Sequence, residues 1–321
     1  MQVRHVLAIA ALCWLNVVPL PGQTRPGTLP KIPPKTPWGD PDLQGNWTNR
    51  TLTPLQRPTS LGTREVLTAE EVAASEAEAR GRYDRPPSPG NTGTYSQFWW
   101  ELGATVAGNR TSLIVDPPDG RVPALTPAAQ AAILDSRRGR GSADSWEDRT
   151  LFERCITRGL PGAMIPGFYN HNYEIVQAPG VVAILVEMIH DVRIIPVDGR
   201  PHADPGIRQW MGDSRGRWEG ATLVVETTNF SPKSRSHGFF ESAGTQRLIE
   251  RFTRIDADTI DYRFTVEDPA TYVSPWTAAI PMMRTDEPVY EFACHEGNEA
   301  IAGILAGHRA EERAAEEAKK R

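Results

Sequence analysis

The residues that suggest chemistry cluster between positions 169 and 193. Glu187 lies in VVAILVEMI (181–189), whose alternate positions are apolar on both sides: Val182, Ile184, Val186 and Met188 on one, Val181, Ala183, Leu185 and Ile189 on the other. A strand apolar on both faces is expected to be buried on both. A carboxylate there is costly unless it is paired, hydrogen-bonded or protonated. Three roles are open to Glu187: a structural partner of Arg193 or Arg247, a general acid or base, or an edge position in water. Just upstream, Tyr169, His171 and Tyr173 share one face of a second strand, and Asn170, Asn172 and Glu174 share the other. Hydrogen-bonding groups on both faces at one strand end suit the rim of a pocket. Tyr169, Asn170, Tyr173 and Arg193 are therefore ligand-binding candidates. His171 is either a base or a satisfied rim histidine, and His190, which ends the Glu187 strand, is the third catalytic candidate. His171, His190 and His295 beside Glu187 match no metal-ligand spacing, and no GxSxG, Walker, HExxH or CxxC signature occurs, so neither metal nor cofactor is expected.

The elements that must position these groups read as strands. Segments 169–177, 181–189 and 192–197 form three antiparallel strands, the first two joined by Ala178-Pro179-Gly180. Residues 42–53 read as a first strand or extended arm, and further strands are expected at 111–115, 121–125, 221–228, 245–255, 259–267, 276–284 and 288–293, with 213–217 as a turn. Ten strands from residue 111 onward, at hairpin spacing, predict a mainly β fold. An antiparallel up-and-down, lipocalin-like barrel follows, because closure removes exposed edges. Thr68-Ala69-Glu70-Glu71 is a capping box opening a surface helix to about 83, and Thr126-Pro127 starts a second helix to about 138. A short helix is expected at 146–154. The organisation is then a signal peptide (1–23), a Pro-rich extended lead-in (24–46), a helical and loop region packed on the barrel (47–110), the barrel core (111–297) and a C-terminal helix (298–321). Beyond His308 that helix is Ala and charge, hence solvated.

Bulk composition restricts the partners. The 321 residues carry a formal charge of −5, with 28 Pro and 27 Gly. An acidic balance argues against nucleic acid, which selects basic surfaces. Arg4 and His5 followed by an apolar run from 6 to 18 read as a secretory signal, too short to span a bilayer. No membrane insertion is expected after its removal, and the protein is expected in the periplasm or outside the cell. Cys155 and Cys294 are the cysteines left beyond that leader. An even count in an oxidising compartment suggests one disulfide, the other reading being two buried thiols.

The segments PWGDPDLQGNW, RCITRGLPG, IVQAPG, EMIHDVRIIPVDGRPH, RWEGATLVVETTNF and FACHEGN resemble a family of exported bacterial proteins of hypothetical function. The resemblance spans most of the chain beyond the leader. It implies export and a single domain, and it assigns no catalytic residue. The barrel is similar to lipocalin-like folds, an analogy of fold that implies no function. Two functions follow. One is the binding of a small, partly apolar molecule in a barrel cavity. The other is acid–base catalysis as a hydrolase, lyase or isomerase, through Glu187 and His171. The partner is in either case a small-molecule ligand or substrate.

Overall fold

Period-two alternation in the middle of the chain produces a run of consecutive antiparallel strands, and the rest of the barrel is built onto it. A computed structural model of the chain describes residues 34–82, 101–139, 143–233 and 244–320. The expected signal peptide, residues 24–33 of the lead-in, Phe98, Trp99, Trp100 and the pair Phe239 and Phe240 lie outside these residues. In chain order the elements are β1 (Gly45–Thr48), α1 (Ala69–Arg82), β2 (Ile114–Asp116), α2 (Pro127–Gly139), β3 (Asn172–Ala178), β4 (Val181–Val186), β5 (Asp191–Pro196), β6 (Asp213–Glu219), β7 (Thr222–Thr228), β8 (Arg247–Arg254), β9 (Thr259–Glu267), β10 (Trp276–Arg284) and α3 (Ala300–Lys319).

All strand pairings are antiparallel, in the order β5-β4-β3-β1-β10-β9-β8-β7-β6, with β2 beside β10. Two meanders, β3–β5 and β6–β10, are thus joined through β1, whose Trp47 pairs with Tyr173 on one side and Arg284 on the other. The barrel therefore takes in a strand from well before residue 111. Its remaining edges, β5 and β6, meet through side chains. A Cβ on Gly216 of β6 would lie 2.6 Å from Val197 Cγ1 and 2.9 Å from Ile195 Cγ2, so only glycine lets that edge approach. The result is the expected mainly β, nearly closed antiparallel barrel with few helices.

The lumen is filled by side chains, as is usual for a barrel of this size. Aromatic rings run across it: Phe252 against Tyr262 at 4.7 Å between centroids, Tyr262 against Phe264 at 5.9 Å, and Phe264 against Trp276 at 5.3 Å. Trp47 closes one side, its Nε1 donating to Leu43 O at 3.0 Å and its ring lying 5.5 Å from Arg254 and 5.2 Å from Arg284.

Several elements differ from expectation. Residues 213–217 are part of β6 rather than a turn, because the ladder with β7 runs from Asp213–Thr228 to Glu219–Thr222. Segment 288–293 is irregular, and 121–125 contributes only the bridge Leu125–Tyr272. The 146–154 helix shrinks to a 3₁₀ turn, Trp146–Asp148, capped by Ser145. Nor is VVAILV buried on both sides. Val182, Ile184 and Val186 face the core, but the other row turns outward, and its register neighbours Val176 and Ile194 are 49% and 57% exposed.

The capping box is present, with Thr68 Oγ1 accepting from Glu71 N at 3.2 Å and Glu71 Oε2 from Thr68 N at 2.8 Å. Helix α3 buries no residue and is tethered through His308, whose Nε2 lies 3.2 Å from Asp144 Oδ1. Cys155 and Cys294 form a disulfide, joining the loop before β3 to the irregular segment that follows β10. Among the described residues no helix is long and apolar enough to cross a membrane.

Candidate functional site

The Gly- and Pro-rich segment between Cys155 and β3 has no periodic pattern and folds as a loop over one end of the barrel. It enters with Cys155 in the left-handed region (φ 56°) and turns again at Gly159 (φ 65°). Between them it buries Arg158, only 6% exposed. The guanidinium has no hydrogen-bond or carboxylate partner among the described residues, and its Nε is fully enclosed. Its neighbours are the Phe152 ring, 5.7 Å from Cζ, and the phenols of Tyr173 and Tyr169. Burial lowers the pKa of this arginine, the two tyrosines opposing that shift. An isolated buried cation is expensive and is usually neutralised by a partner.

Beside it lies His171, 1% exposed, with neither Nδ1 nor Nε2 hydrogen-bonded among the described residues. Burial, then the charges of Arg158 and Arg50, push its pKa down to about 3. The imidazole is therefore neutral at ordinary pH, with one nitrogen a donor and the other an acceptor. Gly167 sets how closely these two groups meet. A Cβ there would fall 2.5 Å from His171 Nε2 and 3.4 Å from Arg158 Nη1, so the ring and the guanidinium press on the same bare backbone. Arg50, by contrast, is compensated, with Nη2 2.7 Å from Glu287 Oε2.

The floor is Tyr173 of β3, fully buried. Its hydroxyl donates to Ala163 O at 3.1 Å and accepts from Asn49 Nδ2 at 2.9 Å. Burial raises its pKa, so it stays a neutral phenol. Asn49 Nδ2 also donates to Met164 O at 3.0 Å, which fixes the amide orientation and leaves the buried Oδ1 without a donor.

Glu187 is 1% exposed, although the strand expected to carry it is buried on one face only and ends before it, and its partners are not arginines. Oε2 accepts from Asn172 Nδ2 at 2.8 Å and from Asn172 N at 3.3 Å, and Oε1 accepts from Tyr290 N at 3.2 Å. The strand ends at Val186, and the chain turns through Ile189 (φ 66°) and His190 (φ 59°). Two successive non-glycine residues in the left-handed region, one of them β-branched, are a strained arrangement. Both expected arginine partners are engaged elsewhere. Arg247 binds Glu226 and Glu267 on the barrel exterior. Arg193 points into the lumen, where Nη1 donates to Glu250 Oε1 at 3.0 Å, Nη2 donates to Oε2, and Tyr262 Oη donates to Oε1 at 2.9 Å.

The fold thus brings His171, Tyr173 and the half-buried Tyr169 around Arg158, and Glu187 adjoins them through Asn172. Asn170, in the left-handed region (φ 55°), donates its backbone N–H to Glu101 Oε2 at 3.1 Å. His190 is exposed and outside the cluster, and Arg193 is committed to Glu250 in the lumen. Sequence reasoning missed Arg158, Asn49, Gly167 and Phe152. The available signal for Arg158 was a single charge inside a Gly/Pro-rich segment flanked by apolar residues. The chain matches no protein-family model, no curated protein and no solved structure.

Proposed function

We propose that the chain is an exported protein that binds a small, partly apolar molecule through an anionic group at the Arg158–His171 end of the barrel. The observation that carries this reading is Arg158 itself, a guanidinium 6% exposed with no carboxylate among the described residues to neutralise it. Guanidinium is suited to planar oxyanions, which it meets with two parallel N–H donors. The neutral imidazole adds a donor without a second charge, while Phe152 and Tyr169 provide apolar walls. With aromatic rings packed through the lumen, the ligand is assigned to the barrel mouth rather than to a central cavity. The Cys155–Cys294 bridge supports export, since disulfides persist in oxidising compartments.

Acid–base catalysis by Glu187 and His171 is the second reading, favoured by the strained Ile189–His190 turn behind the carboxylate. Weighing against it are an imidazole kept neutral beside a cation and a carboxylate with hydrogen bonds to both oxygens. The test is a thermal-shift screen of small organic and inorganic anions on the full chain and on Arg158→Met. Stabilisation of the parent protein but not of the variant is expected. Identical responses of the two proteins would contradict the reading.

A further inference from the structure

Resting on the anion-binding reading, we infer that the ligand is a monocarboxylate that also carries a hydroxyl donor, a hydroxy acid, rather than a phosphate or a simple fatty acid. Charge comes first. Arg50 is neutralised by Glu287, and Glu187 is held by three N–H donors from Asn172 and Tyr290. Arg158 is left at this end as a buried guanidinium with no carboxylate partner among the described residues. A single carboxylate cancels its charge. A phosphate dianion would leave an excess negative charge in a site whose histidine resists protonation, and an amino-acid zwitterion would leave the arginine uncancelled.

Hydrogen bonding supplies the second half. The unpartnered buried atoms at this end are of both kinds. Arg158 Nε–H and one imidazole N–H need an acceptor, which a carboxylate provides. The other imidazole nitrogen and Asn49 Oδ1 need a donor, which a carboxylate cannot provide. The amide of Asn49 cannot be turned to relieve this, because its Nδ2 already serves two oxygens, Met164 O and the Tyr173 hydroxyl. A hydroxyl close to the carboxylate supplies a donor to one of these two acceptors while adding no charge. A site with unpaired buried polar groups discriminates strongly against an analogue that lacks the matching group.

The hydroxyl preference is tested by a change made in the ligand, so that comparison does not depend on the folding of a variant. Titration calorimetry on the full chain would compare lactate with propionate, mandelate with phenylacetate, and both pairs with inorganic phosphate. In at least one pair the hydroxy acid should bind about tenfold tighter or better, a difference of about 1.4 kcal/mol, with phosphate weaker than either hydroxy acid. Binding should vanish in Arg158→Met. Equal affinity within both pairs, or tighter binding of phosphate, overturns the hydroxy-acid inference while an Arg158-dependent anion site survives. Absence of binding by every probe, or binding unchanged in Arg158→Met, overturns the anion site and this inference with it.

Discussion

Arg158 and Arg193 are both almost fully enclosed, and they are treated in opposite ways. Arg193 is met head-on by Glu250, and that carboxylate also accepts from the Tyr262 hydroxyl, so the charge is cancelled within the lumen. Arg158 sits at the barrel mouth over Phe152 with tyrosines and a neutral imidazole around it and no carboxylate partner among the described residues. The desolvation cost of a charge is met by folding in the first case and left for something else to meet in the second. An uncancelled, enclosed cation is a poor device for stability and a good one for recognition, because its partner arrives from solution.

The largest expected effect follows from the neutrality of His171. Its pKa falls from 6.5 to about 3 on folding, so the unfolded chain takes up a proton in a range where the folded chain does not. This contribution to stability is complete above pH 6.5 and is lost as pH falls toward about 3. Over that window the parent protein should lose up to ~5 kcal/mol relative to His171→Gln in urea unfolding. A parallel pH dependence of the two proteins would mean that His171 is solvated or partnered. A bound anion beside the ring should narrow the window by raising the histidine's pKa.

Removing the satisfied arginine comes next. Arg193→Met strands Glu250 in the lumen and should cost about 3–5 kcal/mol in the same unfolding measurement. A loss under ~1 kcal/mol would erase the contrast between the two arginines. Gly167→Ala should cost about 1–3 kcal/mol, as overpacking does, and should weaken anion binding, since the new methyl group would meet both His171 and Arg158. Normal binding by this variant would place the ligand elsewhere. Glu187→Gln should also fall in the range of about 1–3 kcal/mol, the scale of hydrogen bonds to a charged group, because no buried cation depends on Glu187.

The contrast also separates what was legible in the sequence from what was not. Alternation exposed β3, β4 and β5, and Ala178-Pro179-Gly180 marked the turn between the first two, Gly180 having φ 80°. The burial of Glu187 could be read only by the wrong route, since its own row of β4 turns outward and the carboxylate is enclosed after the chain leaves the strand at Val186. Its partners could not, because Tyr290 N approaches from more than a hundred positions away. The role of β1 was hidden for the same reason: residues 42–53 read as a strand or extended arm, but pairing with β3 and β10 is decided at long range. β6 was obscured by Asp213, Ser214 and Gly216, turn formers by composition that are held extended by the β7 ladder and by packing of Ile195 and Val197 on Gly216. Arg158 was missed because a loop has no period, and its enclosure beside Tyr173 and His171 is decided by tertiary packing.

The smallest expected effect is at the far end of the chain. Truncation after His308 removes the exposed Arg309–Glu312 pair but keeps the His308–Asp144 contact. It should cost less than ~1 kcal/mol, the usual worth of surface ion pairs. A larger drop would show that α3 supports the body of the protein.

The most direct test of the central claim is the unfolding free energy of Arg158→Met in buffer without added organic anions. A cation held in reserve for a ligand costs the free protein stability, so replacing it by an apolar side chain of similar length should leave the unfolding free energy unchanged or raise it. A loss of more than ~2 kcal/mol, the signature of a carboxylate stranded by the substitution, would contradict the account and make Arg158 a second structural arginine like Arg193.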